Sequence, residues 1–98
     1  MIYKYNLGTP YQRGQGYFQL PIPQARVKRV LDIQMQGSTA VLWAEVEKDS
    51  YDSYLDIMVV WTGYEEPESI PYFKTIQEPS TGLVYHYYVD NPFTDFDL

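Results

Sequence analysis

Apolar and polar residues alternate in short runs along this chain, and no window sustains the helical spacing of apolar positions. Residues 2–7 place Tyr3, Tyr5 and Leu7 on one face, the period of a strand. Residues 17–20 give a second short strand, stopped by Pro21 and Pro23. The clearest strand is 26–36, where Leu31, Ile33 and Met35 alternate with Asp32, Gln34 and Gln36. Gly37, Ser38 and Thr39 turn the chain. Residues 40–47 return, with Val41, Trp43 and Glu45 on one face and Leu42, Ala44 and Val46 on the other. The two runs and their turn predict a hairpin. Residues 54–62 contain the run Ile57-Met58-Val59-Val60-Trp61, apolar on both faces as in a central strand. Shorter strands follow at 72–77 and 83–89.

Polar, Gly-containing or Pro-containing loops separate these runs at 8–16, 48–53, 63–71 and 78–82. The result is six to seven strands and no helix. The expected fold is all-β, a small antiparallel sandwich or a partly open barrel. Residues 1–89 form one domain, and residues 90–98 form an acidic tail carrying Phe93, Phe96 and Leu98. A chain of 98 residues buries about 60–70% of its unfolded surface, enough to fold without staples.

Four stretches occur here in an order that resembles a family of small, uncharacterised proteins of tailed bacteriophages. They are Ile2-Tyr3-Lys4-Tyr5 with Leu7, then Leu42-Trp43-Ala44, then Thr62-Gly63, and the closing Gly82-Leu83-Val84-Tyr85-His86. The resemblance covers about residues 2–89 and departs at the longer 8–16 loop and the acidic tail. It implies a phage accessory protein acting in the cytoplasm of an infected bacterium. It brings no active site, so no functional residue is carried over.

Charge changes the picture most. Residues 1–43 hold Lys4, Arg13, Arg26, Lys28 and Arg29 against Asp32; the rest of the chain holds Lys48 and Lys74 against twelve acids. The halves are therefore net +4 and −10, summing to the −6 of the whole chain. A split of this kind concerns partners rather than chemistry. There is no cysteine, so neither a disulfide framework nor a thiolate metal site is expected. No apolar run near residue 1 suits a signal peptide, and none approaches a membrane span.

Catalytic groups are sparse. The single histidine, His86, sits among tyrosines in the last strand, and no metal-ligand spacing occurs, so no cofactor or metal is expected. Gly14-Gln15-Gly16 lacks the lysine and helix start of a phosphate loop.

Arg26, Lys28 and Arg29 form the one basic cluster. On a regular strand, Arg26 and Lys28 share a face about 6.8 Å apart. With Tyr85 and Tyr87 as stacking platforms, such a set suits a nucleotide-derived ligand but is too small for duplex DNA. It equally suits an edge guarded against sheet-to-sheet pairing.

Glu65, Glu66 and Glu68, with Phe93 and Phe96 in the tail, are the candidate partner-binding residues. Eleven tyrosines fit either β packing or a binding face. The leading expectation is a non-enzymatic protein that binds and modulates a host protein, one involved in antiviral defence being the suggested kind. The alternatives are a homo-oligomeric sponge for a nucleotide-derived signal and a minor virion or assembly component. Because Arg26 and Glu47 fall near one end of the same hairpin, part of the charge split is expected to be cross-strand pairing.

Overall fold

The computed structural model describes residues 1–93. Seven strands form two antiparallel sheets packed face to face. They are β1 (Ile2–Gly8), β2 (Gly16–Ile22), β3 (Ala25–Gln36), β4 (Thr39–Lys48), β5 (Ser53–Trp61), β6 (Tyr72–Gln77) and β7 (Val84–Asp90). One sheet has the order β1-β4-β3 and the other β2-β5-β7-β6. This is the expected all-β sandwich, open rather than closed into a barrel.

The long hairpin is where local pattern decides structure. β3 pairs with β4 from Ala25↔Lys48 to Gln36↔Thr39. Gly37 takes φ 62°, a conformation that a hairpin turn with glycine first requires and that a side chain would strain. Leu42, Ala44 and Val46 are buried. They meet Leu55, Ile57 and Val59 of β5, with Leu20, Ile22, Ile33 and Ile76, in one core. β5 lies between β2 and β7, as its two apolar faces predict.

Two features depart from the sequence reading. The 8–16 loop contains a one-turn helix, α1 (Pro10–Arg13), with proline at its start and Pro10 buried. Proline fits there because the first helical N–H has no partner to lose. The second departure is in β3, which is bulged between Val27 and Arg29 and again between Val30 and Asp32. Each bulge inserts one residue and shifts the alternation. Register therefore puts Arg26 and Arg29 on one face, opposite Glu47 and Glu45, and leaves Lys28 as the extra residue of the bulge.

The sandwich is sealed along one side by three contacts between the sheets. Lys74 Nζ donates to Asp32 Oδ1 at 2.6 Å, Asn91 Nδ2 to the Val27 carbonyl at 2.8 Å, and Ser53 Oγ to the Ala25 carbonyl at 2.6 Å. The expected tail thus begins inside the domain, since β7 runs to Asp90, Asn91 ties back to β3, and the Phe93 ring meets Tyr54 edge-on at 5.0 Å. Phe96 lies outside the described residues.

Candidate binding face

Strand order creates the site. β5 and β6 are consecutive in sequence but not neighbours, because β7 lies between them. The connection over residues 62–71 must therefore pass across β7. It starts with a turn in which Tyr64 N–H donates to the Trp61 carbonyl at 3.2 Å, and Gly63 adopts φ 95°. That positive φ is why glycine follows Thr62 here. The turn brings Tyr64 back edge-on against Trp61, ring centroids 6.2 Å apart. Further along, Glu66 accepts from the Tyr88 hydroxyl at 3.3 Å.

A depression of about 700 Å³ lies between this connection and the outer face of β7. Glu65, Glu66 and Glu68 line it together with Trp61, Tyr64, His86 and Tyr88. The three glutamates singled out from the sequence are thus brought together. His86 is held in place on both ring nitrogens, with Thr62 Oγ1 at 2.9 Å from Nε2 and Thr75 Oγ1 at 2.8 Å from Nδ1. Neither nitrogen is left without a local partner, so the ring serves as part of the wall.

A second depression of about 360 Å³ adjoins the first and shares Trp61, Thr62 and Tyr64 with it. Its other walls are Gly82, Leu83, Val84 and Tyr85. Trp61, Tyr64 and Leu83 are 36%, 60% and 46% exposed, a run of large apolar side chains left facing solvent.

The outer face of the four-stranded sheet is anionic along its length. Register places Asp56 opposite Asp90 on this face, next to Tyr17, Met58 and Tyr88. Asp56 accepts from the Tyr17 hydroxyl. With the three glutamates this makes five carboxylates. The cations lie elsewhere. Lys4, Arg26, Lys28, Arg29 and Lys48 are on the three-stranded sheet, Arg13 is on α1, and Lys74 turns to the seam with Asp32.

The basic cluster comes out differently. Arg26 meets Glu47 at 3.3 Å and Arg29 meets Glu45 at 3.2 Å, so the expected cross-strand pairing is present. Tyr85 and Tyr87 do not face these arginines. They belong to the other sheet and point into the core, each 1% exposed. Burial pushes both hydroxyls up from the usual tyrosine range. The reason is parity: Tyr85 and Tyr87 share the inner face of β7, while His86 and Tyr88 take the outer one. Arg26, Lys28, Arg29, Tyr85 and Tyr87 therefore do not form one site. Phe93 lies with Arg26, Asp49 and Tyr51 around a separate depression of about 270 Å³.

The sequence profile of a family described as a domain of unknown function, DUF7352, matches residues 1–95. The chain belongs to the DUF7352 family. No curated protein and no solved structure matches it. The DUF7352 match takes in all seven strands and the connection that builds the groove.

One feature of this DUF7352 domain escapes a sequence reading. Glu78 is buried at the β6–β7 turn and accepts from the Thr81 hydroxyl at 2.7 Å, the Ser80 hydroxyl at 3.3 Å and the Tyr11 amide at 3.4 Å. The Glu78-Pro79-Ser80-Thr81 order carries the local half of this network. The half from α1 is long-range and leaves no sequence signal.

Proposed function

We propose that this chain is a non-enzymatic accessory protein of phage origin that binds a host protein in the infected cell and modulates it. The reading rests on one observation: the outer face of the four-stranded sheet carries five carboxylates and exposed aromatics, with every lysine and arginine placed elsewhere. A face of this kind steers and docks a basic surface on another protein.

The edges support a face rather than an added strand as the contact. β1 carries Lys4, β2 carries Pro21, and β3 and β6 are bulged. Each of these features blunts strand-to-strand pairing. The phage origin comes from the sequence resemblance. The host partner follows from that origin together with the charge of the face.

The test is capture from bacterial lysate on the immobilised protein, with a Glu65→Gln/Glu66→Gln/Glu68→Gln variant alongside. The expected result is one partner that is retained at low salt. It should be released near 0.5 M salt, where screening acts over roughly 4 Å, and should be absent from the triple variant. Equal recovery by the triple variant, or clean beads at low salt, refutes the proposal.

A further inference from the structure

The two adjoining depressions differ in character. The larger is walled by Glu65, Glu66 and Glu68; the smaller is walled by Gly82, Leu83 and Val84. They meet at Trp61 and Tyr64, whose rings stand at 84° to each other. An edge-to-face pair at this angle forms a corner rather than a closed stack. Glu66 is anchored at its Oε2 by Tyr88. A carboxylate accepts more than one donor, so Glu66 keeps capacity for a second. Among the described residues no lysine or arginine is paired with Glu65, Glu66 or Glu68.

The geometry points to a partner segment that places an arginine in the acidic depression and a neighbouring apolar side chain in the Leu83 depression. This rests on the protein-binding reading above and deepens it. Arginine is favoured over lysine for two reasons. Its planar guanidinium stacks on aromatic rings, and its fork of donors meets a carboxylate with two bonds. The molecule already shows the first contact internally, with the Arg13 guanidinium 3.8 Å from the centre of the Phe18 ring. The apolar depression selects the neighbour, since Leu83 and Tyr64 otherwise leave large apolar surfaces in water. An anionic pocket beside an apolar one, sharing an aromatic ridge, has the make-up of an interface centre with a polar rim.

The chain carries two tryptophans, Trp61 in the ridge and Trp43 on the other sheet. Their indole N–H signals separate the proposed site from nonspecific binding. The experiment titrates ¹⁵N-labelled protein with a capped Arg-Leu-Arg-Leu peptide, and with versions carrying citrulline or lysine for arginine, or serine for leucine. The expected result is saturable movement of the Trp61 indole and the Leu83 amide with the Trp43 indole still. Citrulline should weaken binding about tenfold or more, and lysine and serine each about threefold or more. Glu66→Gln and Leu83→Ser should each reproduce the matching loss; both are exposed loop positions, and an otherwise unchanged spectrum confirms folding.

Equal binding of the citrulline peptide, shifts that include Trp43, or no shift with any peptide overturns the inference. If lysate capture still yields a salt-sensitive partner lost in the triple glutamine variant, the protein-binding reading survives that failure. If capture fails as well, both fall.

Discussion

Replacing Glu78 by alanine removes a buried carboxylate that joins two distant parts of the fold. Its oxygens take donors from Thr81 and Ser80 in the β6–β7 turn and from the Tyr11 amide of α1, 67 positions away in sequence. Its backbone also closes the turn, accepting from Gly82 N–H at 2.8 Å and donating to the Leu83 carbonyl at 2.9 Å. The substitution leaves those backbone bonds in place and deletes only the side chain.

Hydrogen bonds to a charged acceptor are worth about 1.5–3 kcal/mol while intact. The full sum is not lost here, because Ser80 and Thr81 lie on an exposed turn and their hydroxyls can turn to water. The Tyr11 contact at 3.4 Å is long and contributes least. Partial loss of the three bonds and the cavity left by the side-chain methylenes together come to about 2–3 kcal/mol. For a domain of this size that lowers Tm by roughly 8–24 °C. The assay is thermal unfolding followed by circular dichroism, with Thr81→Ala and Ser80→Ala as companions. The distances rank them: Glu78→Ala largest, Thr81→Ala next at about 1 kcal/mol, and Ser80→Ala near neutral. A Glu78→Ala drop below about 4 °C, or a Thr81→Ala drop as large as that of Glu78→Ala, refutes the reasoning.

Three further outcomes follow from the same physics. Tyr85→Phe should raise Tm by a few degrees, since the Tyr85 hydroxyl is buried with no hydrogen-bond partner among the described residues and its removal relieves desolvation; a fall in Tm counts against this. Ile57→Ala, at a fully buried position on the central strand, should cost about 2–5 kcal/mol in urea unfolding, and a change under about 1 kcal/mol would mean the core is not packed as described. The Lys74 hydrogen bond holds the Asp32 carboxyl below its ordinary value of 3.8. A group lowered on folding stabilises above its unfolded pKa and loses that contribution as pH falls through its folded pKa. Side-chain exposures of 32% for Asp32 and 36% for Lys74 screen the pair, so Asp32→Asn should cost about 0.5–1 kcal/mol at pH 7. The gap between wild type and variant should be full above about pH 4 and close on acidification; a gap that persists at low pH refutes the linkage.

What could be read from the sequence was local. The β3–β4 hairpin shows itself through alternation around Gly37, and β5 through a run apolar on both faces. The bulges in β3 do not, because inserting Lys28 and Leu31 shifts the phase without any residue type that announces it. Nor does the inward side of β7. Tyrosine suits both a dry and a wet face, so Tyr85, Tyr87 and Tyr88 look alike in sequence. Only pairing with β5 and β6 decides that the first two enter the core and the third faces outward. The groove was legible as three glutamates in a loop. That they border a cavity follows from β7 lying between β5 and β6, a strand order no local pattern encodes.

The same non-local order changes the meaning of the charge split. In sequence, a basic half precedes an acidic half. In space, the two halves interleave: Arg26 and Arg29 meet Glu47 and Glu45 across one hairpin, and Asp32 meets Lys74 across the seam. Those pairs draw acids toward the three-stranded sheet. They leave the outer face of the other sheet with Asp56 and Asp90 opposite each other and no lysine or arginine beside them. Like charges directly across a strand pair destabilise a sheet. Folding alone favours a lysine at one of the two positions, whereas the function proposed above calls for an anionic face at both. Asp90→Lys separates the two demands. It should raise stability by a few tenths of a kcal/mol at low salt while weakening partner capture. A variant that gains stability with capture unchanged would mean that the anionic face serves no binding role.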